Sequence, residues 1–425
     1  MALKTYLTRT VPAFLLMIAL TALTSCDRGA SGKAVLWTDR PEFAFYTEFF
    51  NASQGKYKVE VRFFNSSTHK LTEPGERPDM VAASWLKNSS TRNLFIPLDN
   101  IFTKDGLDRS FFYQRLLSLG KIDKSQYLLP VSFNMPAIIF TRETSRDSSR
   151  TPSNPFTIGM KEIRERGKAY NRMSGQVYSR MGFSPSSSDE FLFLAAVLFG
   201  VSFREASPIA WDPQALAQCM AWIQEWIRDA NTSIQMEEDF AFKYFHNPPD
   251  RLVSSGRTLY MHMNSDDFFM LSEERRMNLD FRWFAEEETI PLNEGIVYFG
   301  IHRKAKSKNA AREFTRWFFN AATQKLLLES AKEKRMHETS FGIAGGLSAM
   351  KTVTEQIFPQ FYPDLLGHMA PDNYLYPPNI LPRNWTAIKE RVLLPYLHER
   401  IRQTGHEEIR HLERRISDWY RLNKD

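Results

Sequence analysis

A strand, a helix and a strand follow one another within residues 34–64, and this succession constrains the fold more than any other feature of the chain. Residues 34–37 (AVLW) are apolar, Phe43, Tyr46, Phe49 and Phe50 recur at helical spacing, and residues 56–64 (KYKVEVRFF) alternate with a period of two. Two strands joined by a helix run parallel, since an antiparallel pair would need only a tight turn. A parallel sheet is covered on both faces, and ligands meet it at the carboxyl ends of its strands. Asp39 and Glu42, three apart around Pro41, read as a helix start of the capping-box kind, which places the loop WTDRPE on that edge.

Further edges of the same kind follow. Residues 78–88 (PDMVAASWLKN) read as an apolar strand ending in Ser84 and Trp85, and 126–143 as two extended runs around Ser132, Phe133 and Asn134. The next stretch, to residue 154, is rich in Ser, Thr, Arg and Pro, and a domain boundary is expected near Thr141. Beyond it the pattern predicts a helix from about Thr157, a strand over 175–179, and a loop whose Ser and Asp residues cap an apolar helix over 191–199. Residues 254–269 give a glycine turn, a strand and a polar loop. A strand, a basic turn and a helix with Ala310, Phe314, Trp317 and Phe318 inward follow, and residues 385–422 are helical and amphipathic. About 400 residues exceed one compact core and suit two domains.

The first 25 residues read as a secretory signal, with Lys4 and Arg9 ahead of an apolar run over 11–23. That run is shorter than the roughly 20 residues needed to cross a bilayer. Leu23, Thr24, Ser25 and Cys26 resemble a bacterial lipobox, which implies lipidation of Cys26 and anchoring at the outer face of the cytoplasmic membrane, in the periplasm of a two-membrane organism. Residues 26–33 then form a short polar tether. Cys219, the only other cysteine, lies on the apolar side of a helix and reads as a buried small hydrophobe, so no disulfide is expected. The 55 basic and 49 acidic residues are mixed along the chain, which argues against nucleic-acid binding.

The order of these pieces resembles that of the extracellular solute-binding lipoproteins of ABC transporters, of the sugar-binding, maltose-binding-protein-like kind. AVLWTDRPEFAFYTEFFN resembles the family's opening strand and helix, RPDMVAAS its Pro-Asp strand, and YLLPVSFNMPAIIF its first crossover between domains. SSGRTLYMHMNS, NEGIVYFGIHRKAKSKNAAREFTRWF and PPNILPRNWTAIKERVLLPYL resemble later segments in the same order. The resemblance implies an α/β, two-lobed periplasmic-binding-protein type II fold, each lobe a sheet flanked by helices. Residues 34–140 with 290–335 would form lobe 1, and 141–289 with 336–425 lobe 2. It further implies a small polar solute, most often a carbohydrate, held in the interlobe cleft, with permease subunits and the membrane as partners. A monomer is expected, with no cofactor.

A sugar offers hydroxyls in its plane and C–H groups above it, so the candidate ligand-binding residues are polar groups and ring faces at the cleft edges. They are Trp37, Asp39 and Arg40; Ser84 and Trp85; Phe133 and Asn134; Phe183, Ser184 and Ser188; Asn264, Ser265 and Asp266; Glu294; and Trp385. Asp266 and Asp267 stand where maltose-binding members carry an aromatic, which favours a smaller, more polar or partly cationic solute. Core packing is the competing reading for Trp37, Trp85 and Trp385, and the preferred one for Trp222, Trp226 and Trp317. Catalysis finds no support: HEEIRH (406–411) spaces its histidines five apart rather than the four a zinc helix needs, and neither a nucleophile elbow nor a phosphate loop occurs. A lipid-anchored adhesin or sensor reusing the fold, and an exported glycoside hydrolase, remain as alternatives.

Overall fold

The computed structural model describes residues 32–103, 107–146, 152–403 and 411–423. The expected signal, Cys26 and His406 lie outside them. The chain runs through β1 (Gly32–Thr38), α1 (Glu42–Ser53), β2 (Tyr57–Phe63), β3 (Met80–Ser84) and β4 (Leu129–Phe133). It passes through Asn134 and Met135 into β5 (Pro136–Thr141) and β6 (Thr157–Ile158), then through α2 (Asp189–Leu198), α3 (Pro213–Asn231), β7 (Met261–Asn264) and β8 (Leu279–Phe284). It returns in β9 (Val297–Ile301), α4 (Lys308–Phe318) and β10 (Leu347–Ser348).

Among the described residues two larger sheets form, one of six strands in the order β10-β4-β9-β3-β1-β2 and one of four in the order β7-β5-β8-β6, besides three two-stranded pairs. β1 pairs in parallel with both β2 and β3, as the opening succession requires. The first sheet is nonetheless mixed, because β9 and β10 re-enter it antiparallel after the chain has visited the second. Phe43 and Phe50 of α1 pack on Phe318 and Phe314 of α4, with ring centroids 5.3 and 5.2 Å apart. At about 1.5–3 kcal/mol per buried side chain, these rings fasten both helices over β1 and β2.

The boundaries differ from the sequence expectation in physically simple ways. β1 already begins at Gly32, so the tether is shorter at its end than residues 26–33. The first crossing comes at Asn134, not near Thr141, because β5 belongs entirely to the second sheet. Residues beyond 335 do not pass at once to the second lobe, since β10 pairs with β4 of the first. Thr157–Ile158 is a strand, with the helix beginning at Met160. The strand expected over 175–179 is half of a hairpin (Arg172–Ser174 and Val177–Arg180) that turns at Gly175, whose φ of 65° is the left-handed value a glycine tolerates. The final helical region is interrupted: Pro395 has no N–H to donate, and the helix widens into a π turn over Lys389–Leu393. Among the described residues no helix is long and apolar enough to cross a membrane.

Candidate functional site between the lobes

The site is built outward from the end of β1. Thr38 donates its hydroxyl to Ala82 O at 2.7 Å and accepts the Arg40 N–H at 3.0 Å, which pins the loop against β3. α1 then starts behind Pro41 without a side-chain cap, so Asp39 does not have the capping role its spacing suggested. Its Oδ1 has no hydrogen bond and lies 3.4 Å from Arg40 Nε. Burial pushes this carboxyl up to about 6, against the pull of the adjacent Arg40 guanidinium. Arg40 donates to Ser84 Oγ at 3.0 Å, and Ser84 donates to Gly295 O at 3.0 Å, joining β1, β3 and the return crossover.

The second lobe reaches the same place from the end of β7. Asp266 is pushed up to about 6 by burial and by its neighbour Asp267, while Arg40 of the first lobe opposes the shift. One guanidinium thus acts on a carboxylate from each lobe. Asp266 Oδ1, Arg40 Nε and Glu42 Oε2 are buried without a hydrogen bond; Glu42 Oε1 takes the Ser340 hydroxyl. Buried polar atoms without partners are uncommon and costly, and a group of them drawn from both lobes needs a cause.

Beneath this cluster lies a seam of amides and hydroxyls. Asn134 donates to Gly345 O at 2.9 Å and accepts from Ser265 Oγ at 2.8 Å. Asn293 donates its backbone N–H to Asn134 O at 3.1 Å and its amide to Asn264 at 2.9 Å. Of the residues expected at the cleft, Asp39, Arg40, Ser84, Asn134, Asn264, Ser265 and Asp266 therefore come together. Trp85 is half-buried at φ 64°, a strained backbone for a large residue, and its ring rests on the core of the second lobe.

The expected ring faces are mostly elsewhere. Trp37 is 2% exposed and meets Phe64 edge-on at 4.9 Å. Phe133 packs on Tyr113, Phe183 stacks on Trp226 at 5.5 Å, and Trp385 is enclosed by Phe193 and Phe203. These four belong to the cores, because period-two alternation and helix packing turn them away from the polar loops they adjoin in sequence. Ser184 is also buried, donating to Glu237 at 2.8 Å, while Ser188 caps α2 and stands 3.2 Å from His262 Nδ1.

Glu294 opens a second polar group that sequence reasoning missed in part. Lys389 donates to it at 2.5 Å and to Glu190 at 2.7 Å, with Nζ 3.8 Å above the Phe193 ring, and Trp385 Nε1 donates to Glu294 as well. Trp385 and Lys389, four apart, share a helix face, and that spacing was the available signal. His262 is nearby: burial and the Lys389 charge push its imidazole down to about 3, so it is neutral, and its Nε2 has no partner. Cys219 is buried, and its thiol is pushed up to about 12 by burial.

A groove of about 1020 Å³ also opens between the lobes. Its walls include Arg92, Arg115 and Leu119 from the first lobe, Arg204 and Glu205 from the second, and the crossing segment 376–380. Ser89 donates its N–H at 2.9 Å and its hydroxyl at 2.8 Å to Glu205, a direct contact between the lobes. Among the described residues no group of three His, Cys, Asp or Glu could hold a metal ion.

No protein-family model and no curated protein matches the chain. Solved structures do. A cyclo/maltodextrin-binding protein bound to maltotetraose aligns with a TM-score of 0.62 at 15% identity, over 94% of this chain and 100% of that one. An ABC substrate-binding protein from Listeria monocytogenes in complex with cycloalternan aligns at 0.61 and 14%, over 92% and 98%. A cyclic alpha-maltosyl-1,6-maltose binding protein from Arthrobacter globiformis gives 0.61 and 14%, over 91% and 96%. At such identities it is the course of the backbone that is shared, and the chain has the two-lobed α/β fold of the ABC substrate-binding proteins.

Proposed function

We propose that the chain is the solute-binding component of an ABC importer, capturing a small polar solute, foremost a carbohydrate, between its lobes and delivering it to a membrane permease. The observation that carries this reading is the Arg40 cluster, where bonded and unbonded polar groups of both lobes meet. A ligand shifts a hinge equilibrium only through contacts that differ between open and closed states, and groups facing each other across the lobes supply such contacts. Asp39, Arg40, Ser84, Asn134, Asn264, Ser265 and Asp266 are the groups assigned to the solute. The sugars bound by the aligned proteins support a saccharide. The reading has the solute leave unaltered, with no catalytic residue or cofactor. It retains the lipid anchor on Cys26, an exported location and a monomer.

The experiment is a thermal-shift panel of sugars, polyols, amino acids and oligosaccharides, with each stabilising ligand recovered and its chemical identity checked afterwards. A ligand at a hundredfold excess over Kd stabilises the native state by about 2.7 kcal/mol. At least one saccharide is expected to raise the melting temperature and to be recovered intact. A panel without any shift, or recovery of a cleaved sugar, refutes the reading.

A further inference from the structure

We infer that the 1020 Å³ interlobe groove recognises the anionic groups of an acidic saccharide, a proposal that rests on the solute-binding reading above. Arg92 and Arg115 line it from the first lobe and Arg204 from the second. Lys87 lines a smaller cavity that shares Leu119 and residues 378–380 with the groove. Among the described residues of the groove wall, the three arginines face one carboxylate, Glu205, which Ser89 already engages with three hydrogen bonds, while Glu294, in the cavity that holds Lys87, is taken by Lys389. Among the described residues no carboxylate lies within ion-pair distance of Lys87, Arg92, Arg115 or Arg204. The Arg115 guanidinium donates to Leu375 O at 3.0 Å and that of Arg204 only to Ser202 O at 3.4 Å.

Such crowding of like charge has a cost that a bound anion removes. Burial, and then the charge of Arg92, already lower the Lys87 ammonium below its ordinary range. Arg204 lines the groove from the second lobe and Arg92 and Arg115 from the first, so drawing these walls together without a counter-charge brings like charges closer. An anion bridging them turns that opposition into attraction, which couples lobe closure to ligand charge. Planar guanidinium groups pair bidentately with carboxylates and sulfates. The remaining wall is suited to a sugar: Tyr376 is 42% exposed, and Leu119, Pro377 and Pro378 beside it offer apolar surface to ring C–H groups. The shared chemistry is a saccharide bearing carboxylate or sulfate groups.

The test is calorimetric titration of the purified protein with trigalacturonate and its methyl ester, and with a sulfated galactan tetrasaccharide and its desulfated form, at low and high salt. At least one charged ligand is expected to bind tenfold or more tightly than its neutral counterpart, with the preference shrinking as salt rises. Which pair shows it identifies the anion as carboxylate or sulfate. R92Q, R115Q and R204Q, all at exposed positions, are each expected to cut the charged-to-neutral preference at least threefold. Equal or better binding of the neutral forms, with the preference unmoved by the three substitutions, overturns the inference and leaves saccharide capture standing. Failure of all four ligands, together with a silent thermal-shift panel, overturns both.

Discussion

The Arg40 cluster and the arginine groove both draw on the two lobes, yet they are electrostatic opposites. Around Arg40 one cation acts on Asp39 and Asp266, with Glu42 and Asp267 adding negative charge beside them, and burial lifts the Asp39 and Asp266 carboxyls to about 6. Among its described residues the groove has exposed arginines and a single carboxylate, Glu205, and it is open to solvent. Burial makes the first region sensitive to protons; exposure makes the second sensitive to salt. A solute spanning both would present hydroxyl or amine donors at one end and anionic groups at the other.

The largest effect is expected where both regions share a support. Glu294 follows Asn293 of the asparagine seam and lines the small cavities beside Trp85 and Leu381, and Lys389 neutralises it. Lys389→Met leaves Glu294 and Glu190 without their cation. Breaking a buried charge network this way costs about 3–5 kcal/mol, whereas replacing all its charges with apolar groups costs less. Urea unfolding should therefore show a large loss for K389M and a smaller one when E294L and E190L are added. A loss under about 1 kcal/mol for K389M would mean that the crossover is held by something other than this ion pair.

A smaller effect separates the two regions by pH. Asp39 and Asp266 titrate near 6 in the folded chain against an ordinary 3.8, so between those limits the folded chain binds more protons than the unfolded one. The stability associated with each group is present below pH 3.8 and is lost as pH rises through 6. A tenfold change in proton affinity between the two states is worth about 1.4 kcal/mol, and here it is shared with Arg40, Glu42 and Asp267 around the two carboxyls. D39N and D266N should each stabilise the empty protein by about 1–3 kcal/mol at about pH 7.5 and by nothing measurable at about pH 4, while R204Q shows no slope across this range. Flat pH profiles for both Asn variants would erase the contrast between the regions.

How much of this could be read from sequence depended on whether a signal was local. The β1–α1–β2 unit was legible because its alternation and helical spacing lie in adjacent residues, and Asp39, Arg40 and Ser84 because parallel strand ends of such a sheet converge, whereas Asp266 was legible as part of the polar loop that follows β7 of the other sheet. The hairpin at Gly175 was misjudged because its strands are short and mostly exposed, so burial imposes no clear alternation. Trp37 and Trp385 were misjudged because which way a ring turns at a strand or helix end is decided by packing partners distant in sequence, Phe64 and Phe203 among them. Arg92, Arg115 and Arg204 carry no shared motif at all, and only the fold brings them to one groove.

The smallest predicted effect tests whether the lobes hold each other through the groove's rim. Ser89 and Glu205 belong to different lobes and bond at the surface, where exchange with water leaves a single hydroxyl contact about 0.5–1 kcal/mol. Ser89→Ala removes the hydroxyl and keeps the backbone N–H on Glu205. A bond internal to a lobe would register in thermal unfolding of the empty protein. One made chiefly in the closed arrangement registers instead in the rate at which solute escapes, because closure is what it favours. S89A should leave the melting temperature of the empty protein within about a degree and raise the solute dissociation rate about two- to fivefold, with association unchanged, in stopped-flow measurements. A fall in melting temperature without any change in dissociation would place the bond in the stability of the static fold and remove the rim from the closing motion.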